Sequence, residues 1–294
     1  MRGPREAPEV QIVFHIGAHA TDEGLLLRSL LRNRDLLAGQ GVGLPGPGRY
    51  RQLIGEVSTS LRGEAADDET EAMLIDTIRD DETADRIVLS NENFICRAQL
   101  ALGTGRLYPR IEKAAWLGQL FPGCRVSFAL ALRNPATFVP DMVRRGETSP
   151  QNAPRAGGMW ADVVERLFHA CPDAEVIAWC HEDAPLIWPQ IMRELAGVDA
   201  TLPLDGGLDM AGRLMTPAGR ARLLAFIERR SDLTERQRTR ALSAFLAAHA
   251  EDEAVTQVID LPGWTDRTVA WLTEDYEEDV AAVAAARGVT FLTP

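Results

Sequence analysis

The segment His15-Ile16-Gly17-Ala18-His19-Ala20-Thr21-Asp22-Glu23-Gly24 combines residue types and spacing that could do chemistry. A short apolar run from Gln11 to Ile16 ends at Gly17, and leucines at helical spacing begin at Leu25. Strand, glycine-bearing turn and helix, in that order, is the layout of a phosphate loop. Backbone N–H groups at the helix start would hold the anion. A lysine in such a loop would stabilise charge on a transferring group. The chain has one lysine, Lys113, among 31 basic residues, and it lies elsewhere. Ala20 stands in the turn instead. Asp22 and Glu23 follow at the helix start, where carboxylates satisfy the N–H groups themselves and repel a phosphate.

Two other loops follow apolar runs. Arg86 to Ser90 (RIVLS) leads into Asn91-Glu92-Asn93, where a carboxylate could act as a base on a hydroxyl. The competing reading of Glu92 is a hydrogen-bonded loop residue. Arg125 to Leu132 (RVSFALAL) is apolar on both faces, as a central parallel strand should be. It leads into Arg133-Asn134-Pro135, with Asp141 eight residues after Arg133. Arg133 has two readings: a phosphate ligand, or a partner for an acidic residue at the strand end, Asp141 included. Among the histidines, His19 in the loop is the one to test. His169 and His249 lie near helix ends, where partial positive charge suits the dipole; His181 follows a strand and His15 lies within one. Lys113, between Glu112 and Ala114-Ala115-Trp116, reads as a surface residue.

These motifs resemble those of bacterial sulfotransferase-family proteins. In that family the first strand ends in His-Ile-Gly-x-His-Lys-Thr-Gly-Thr-Thr, the 5′-phosphosulfate loop. His15, Ile16, Gly17, His19 and Thr21 match it. Ala20 stands for the Lys, and Asp22, Glu23 and Gly24 stand for Gly, Thr and Thr or Ser. Leu132-Arg133-Asn134-Pro135 resembles the 3′-phosphate segment, with Asp141 where that pattern has Ser. Ser90-Asn91-Glu92 resembles the family's Ser-x-Glu. The resemblance covers residues 10–145 by motif and the remainder by element order. It implies a P-loop-type α/β fold whose cofactor is 3′-phosphoadenosine 5′-phosphosulfate. Gly17, Thr21 and Arg133 would hold that cofactor, and Glu92 and His19 would be catalytic. The coordinated departures at Ala20, Asp22, Glu23, Gly24 and Asp141 remove both phosphate subsites. The expected protein is therefore sulfotransferase-like with a degraded cofactor site, non-catalytic or binding a different anionic ligand. One alternative is an active sulfotransferase that transfers a sulfuryl group to a hydroxyl acceptor. Another is a partner-binding protein that uses its charged helices.

The elements that must position these residues alternate between strand and helix, which argues for a parallel sheet covered by helices on both faces. Helices are expected at Leu25 to Leu37, Thr70 to Ile78, Pro109 to Phe121 with Pro at the first position, and Pro135 to Arg145. Further helices are expected at Trp160 to Ala170, Pro185 to Ala196, Pro217 to Arg229, Thr234 to His249 and Thr265 to Arg287. The helix at Thr234 carries a capping-box spacing from Asp232 to Glu235. Ala174 to Trp179 and Val289 to Leu292 complete the strands. Gly43 to Tyr50, Gly103 to Gly105, Gly146 to Gly158 and Thr201 to Asp209 read as turns or loops, the 146–158 segment as a loop or lid. One domain over 1–294 is expected, with a sheet core at 10–200 and a mainly helical cap at 201–294.

Composition narrows the partners. The net charge is −12, and Glu64 to Asp85 and Glu251 to Asp279 each carry −9. Arg213 to Arg240 carries +5, so the acidic total does not exclude an anionic ligand. No basic stripe is interleaved with aromatics, which argues against nucleic acid. No apolar run is long enough for a membrane span. Met1 to Glu9 holds no apolar signal region, and Cys96, Cys124, Cys171 and Cys180 lack zinc or redox spacing. A cytoplasmic protein with reduced thiols, no metal site, and an unknown small molecule or protein as partner is expected.

Overall fold

The computed structural model describes residues 10–79, 83–103, 105–154, 158–230, 232–256 and 259–294. Residues 1–9, Thr104 and residues 155–157 of the 146–158 loop lie outside the described residues. The chain begins with β1 (Gln11–His15), α1 (Leu25–Leu31), α2 (Arg34–Ala38), β2 (Val42–Gly43), α3 (Pro47–Leu61), α4 (Asp68–Ile78) and β3 (Arg86–Ser90). A small antiparallel ribbon, β4 (Leu102–Gly103) and β5 (Arg106–Leu107), precedes α5 (Ala114–Gly118). Next come β6 (Arg125–Leu132), α6 (Pro135–Arg144), α7 (Trp160–Ala170), β7 (Glu175–Cys180) and α8 (Ala184–Ala196). The last third holds α9 (Asp209–Gly212), α10 (Pro217–Arg229), α11 (Glu235–His249), α12 (Asp252–Val255), α13 (Asp266–Ala285) and β8 (Val289–Leu292).

The main sheet has six strands in the order β2-β3-β1-β6-β7-β8, and every pairing is parallel. Alternation along each strand splits the core between two faces. Ile12, Phe14, Phe128, Leu130, Val176 and Ala178 point to one face, against α3 to α7 and α13. Val13, Ala129, Ala131, Ile177 and Trp179 point to the other, against α1, α2 and α8. Both faces are thus covered, as an all-parallel sheet requires. A third, smaller apolar cluster joins α9, α10 and α11 through Ala211, Leu223 and Leu242. No described helix is long and apolar enough to cross a membrane.

Four local expectations are corrected. The helix expected over Leu25 to Leu37 breaks between α1 and α2, at Arg32 and Asn33. Asn33 is buried there; its Nδ2 donates to Ser29 O and Asp205 O at 2.9 Å, and its Oδ1 accepts from Asp205 N at 2.7 Å. That side chain competes for backbone partners that a continuous helix would use. The segment expected as a loop to Tyr50 opens α3 instead, with Pro47 at the first turn. Pro109 to Phe121 is a 3₁₀ turn at Ile111–Lys113 followed by the short α5, and Pro109 precedes it. The capping box of α11 is Thr234 with Gln237, not Asp232 with Glu235.

Candidate functional site

β1 lies between β3 and β6, and the chain leaves β1 and β6 in opposite directions along the sheet. In an open parallel sheet a ligand crevice forms past the carboxyl ends of the strands at such a reversal. The loops after His15 and Leu132 flank it. The first loop stays on β6 beyond the strand: Ile16 N donates to Ala129 O at 3.0 Å, Ala131 N to Gly17 O at 2.7 Å, and Ala18 N to Ala131 O at 3.3 Å. Gly17 has φ +117°, and a Cβ there would stand 3.1 Å from His19 N, so the position requires glycine. Beyond it the chain turns through Ala20 (φ 55°) and Glu23 (φ 53°), both in the left-handed region. Thr21 Oγ1 donates to Ala18 O at 2.7 Å, so its hydroxyl is engaged within the loop.

The helix start is already capped. Asp22 Oδ2 accepts from Leu26 N at 2.8 Å, and Asp22 O accepts from Leu25 N at 2.9 Å. These are the N–H groups that a phosphate would use, and α1 is only 7 residues long. Arg213, between α9 and α10, adds a hydrogen bond from Nη1 to the Asp22 carbonyl at 3.2 Å.

Arg133 is buried just past β6. Its Nη1 donates to Asp141 Oδ2 at 2.8 Å and also to the carbonyl of Ala20, while its Nε is buried without a partner among the described residues. Asp141 is shared: Oδ1 accepts from Arg144 and, at 3.2 Å, from Arg145. Arg145 Nη2 in turn donates to Glu23 Oε1 at 2.7 Å. Burial pushes the Asp141 carboxyl up, but the hydrogen bond and charge of Arg133, with Arg145, outweigh it and hold the group below the usual value. The arginine loop is fixed from outside by Trp160 Nε1 donating to Arg133 O at 2.8 Å. Asn134 caps α6 through Ala136 N at 2.9 Å, and its own N–H donates to Glu182 Oε1 at 2.9 Å. Tyr276 of α13 donates to Glu182 Oε2 at 2.9 Å. A cavity of about 370 Å³ opens here, lined by Ala20, Arg133, Asp141, Arg144 and His181. Burial, and repulsion by Arg133, push the His181 imidazole down to about 4.

His19 and Glu92 stand on the β3 side of the turn. The Tyr108 hydroxyl accepts from His19 N at 2.8 Å and lies 2.8 Å from Nδ1. On the other side of the ring, Nε2 lies 3.4 Å from Asn93 Oδ1. Burial lowers the His19 pKa, consistent with a neutral ring. His15 Nδ1 meets Ser90 Oγ at 2.9 Å, and burial lowers the His15 pKa too. Glu92 is half-buried beside Gly17, whose added Cβ would meet Glu92 Cβ at 3.7 Å. Burial first, then the neighbouring Asp22 charge, raise the Glu92 carboxyl above the usual range.

Gly17, His19, Thr21, Arg133 and Glu92 are therefore gathered around one turn. Tyr108, Arg145 and Glu182 were not singled out by sequence reasoning, and His181 was read only as following a strand. Tyr108 sits in an irregular stretch with no motif, whereas His181 had a usable signal, its place directly after β7. Among the described residues no group of three His, Cys, Asp or Glu could hold a metal ion. None of the four cysteines forms a disulfide, and burial pushes the Cys96, Cys171 and Cys180 thiols up to about 11.

No protein-family model matches the chain, and no curated protein matches it. A solved structure that does match is the crystal structure of sulfotransferase from Alicyclobacillus acidocaldarius. The two chains are 16% identical, the match covers 82% of this chain and 96% of that one, and the TM-score is 0.33. That likeness is too slight to bear on the chemistry of the site.

Proposed function

We propose that this chain is a sulfotransferase-like protein that has filled its own phosphate subsites with carboxylates and does not transfer sulfuryl groups from 3′-phosphoadenosine 5′-phosphosulfate. The sulfotransferase likeness rests on the motifs at His15 to Thr21, Ser90 to Glu92 and Leu132 to Pro135. The observation that carries the loss of function is the buried Arg133–Asp141 pair at 2.8 Å. A 3′-phosphate at Arg133 would have to displace Asp141 or share the guanidinium with it, two anions on one cation. At the second subsite the Asp22 carboxylate already accepts from Leu26 N, and the Asp22 main-chain carbonyl accepts from Leu25 N. The residues present therefore do not fit the nucleotide. A binding role for a different anionic ligand is compatible with this reading.

One observation favours the active-enzyme alternative. Burial raises the Glu92 carboxyl beside the turn, the direction of shift that suits a general base. Against it, Ala20 supplies no cation where sulfuryl charge would develop.

Thermal melting with 3′-phosphoadenosine 5′-phosphate separates the two. A ligand at a hundred times its Kd stabilises by about 2.7 kcal/mol. No shift is expected at millimolar ligand. A clear upward shift that disappears in Arg133→Ala overturns the filled-site reading.

A further inference from the structure

Asn93, whose Oδ1 faces His19, also lines a cavity of about 550 Å³ between α3, the 91–100 segment and α5. That volume lies within the range of small-molecule sites. Four cations line it: Arg51, Arg97, Arg110 and Lys113. No carboxylate lines it, and none of the four forms a salt bridge among the described residues. In a chain of net charge −12, four positive charges around one hollow are a local reversal of sign; Arg51 also donates from Nε and Nη2 to Ser90 O at 3.0 and 2.9 Å. The chain's only lysine is one of them, and its Nζ sits 4.6 Å from the Trp116 ring centre, on the cavity wall. The cations also converge: Arg110 and Lys113 both pull down on the Cys96 thiol, against the larger upward push of burial.

The chemistry of this lining selects its ligand. Guanidinium groups pair with planar or tetrahedral oxyanions through two parallel hydrogen bonds. The amides of Asn91 and Asn93 and the hydroxyls of Ser58 and Thr59 offer neutral donors and acceptors between the charges. We propose that this cavity binds a small organic polyanion carrying two or more carboxylate or phosphate groups on a polar frame. The inference does not rest on the filled phosphate loop, because none of the four cations lines the Arg133 cavity.

Isothermal titration with citrate and with inositol hexakisphosphate tests it on the full chain, with glucose as the uncharged control. One polyanion per chain is expected, with affinity falling as salt rises from low to physiological levels. Trp116 fluorescence should change on binding, and the change should vanish in Trp116→Phe. Arg97 and Arg110 are exposed, so Arg97→Ser with Arg110→Ser should melt normally yet bind about tenfold more weakly. The exposed pair Arg222→Ser with Arg229→Ser on α10 should leave affinity unchanged. A preference for citrate assigns carboxylates and a preference for inositol hexakisphosphate assigns phosphates; both uphold the site. Absence of heat with either probe at millimolar concentration overturns it, as does equal weakening by the α10 pair. Binding that survives the Arg97 and Arg110 changes but is lost in Arg133→Ala moves the anion to the β1–β6 crevice and overturns it as well.

Discussion

Arg133 Nη1 lies 2.8 Å from Asp141 Oδ2, and each side chain is only 7% exposed. The arginine directly follows the central strand β6 and the aspartate sits on the second turn of α6, so the strand end and the helix are joined by one internal ion pair. Truncating either partner leaves a buried charge without its mate, which typically costs about 3–5 kcal/mol. Asp141→Ala should therefore lower the free energy of unfolding by roughly that amount in denaturant titration. The double variant Arg133→Met, Asp141→Leu should recover most of the loss. If Asp141→Ala is silent, the pair contributes nothing to stability.

Recovering the nucleotide site takes five substitutions. Ala20→Lys, Asp22→Gly, Glu23→Thr and Gly24→Thr restore the loop. Asp141→Ser must accompany them, because Asp141 otherwise keeps Arg133 occupied. The five-fold variant should melt higher with 3′-phosphoadenosine 5′-phosphate, whereas the loop changes alone should give a smaller shift or none. Equal shifts in the two would show that Asp141 is no obstacle.

Asp22→Ala removes the carboxylate that caps Leu26 N. Loss of a side-chain cap costs about 1 kcal/mol, and Asp22→Asn, which keeps an acceptor oxygen, should cost less. Chemical denaturation of both variants checks the order. If Asn is as damaging as Ala, charge near the helix start matters more than the hydrogen bond.

Stability should fall with acid below pH 6.5. His181 is pushed from 6.5 in the open chain to about 4 in the folded one. Between those values the unfolded state binds more protons, so the contribution is complete above pH 6.5 and is lost as pH drops to about 4. The ceiling on this contribution is on the order of 3 kcal/mol. His181→Gln should flatten the pH dependence of the melting midpoint in that window. Part of the slope should persist, because His15 and His19 are lowered by burial in the same direction. A slope unchanged by the substitution would mean that His181 is solvated.

Glu92 has the opposite sign. Its pKa is raised in the folded chain, so its contribution is present below the ordinary carboxyl value and lost as pH rises through the raised one. Burial first, and then the Asp22 carboxylate, work against its charged form. Glu92→Gln should raise the melting midpoint at pH 7 by roughly 1–3 °C and have little effect at pH 4. A lower midpoint at pH 7 would show that Glu92 has a stabilising partner.

Much of the sheet was legible from the sequence. The bounds of β3, β6, α7 and α10 coincide with the apolar runs and capping residues that mark them. α3 was hidden because Gly43 to Tyr50 is rich in glycine and proline, and the helix buries only Tyr50 and Ile54. The turn after β1 was located by its glycines and histidines, but the contact of His19 with Tyr108 spans 89 positions and leaves no pattern. Arg133 had two open readings because residues eight apart meet only when an intervening turn folds Asp141 back to the strand end. Lys113 was expected to be an ordinary surface residue. It lines a basic cavity whose other cations come from α3, the 91–100 segment and the stretch before α5, a convergence only the fold produces.

The sheet gains its last strand late, and β8 becomes its edge. β8 pairs with β7 through Val289–Leu292, more than a hundred residues after β7 itself. During synthesis, β7 must therefore wait with an open hydrogen-bonding edge while α8 to α13 emerge. An unpaired edge is a template for another strand, including one from a neighbouring nascent chain. Order of emergence from the ribosome thus leaves that edge of β7 unpaired through residues 181–288.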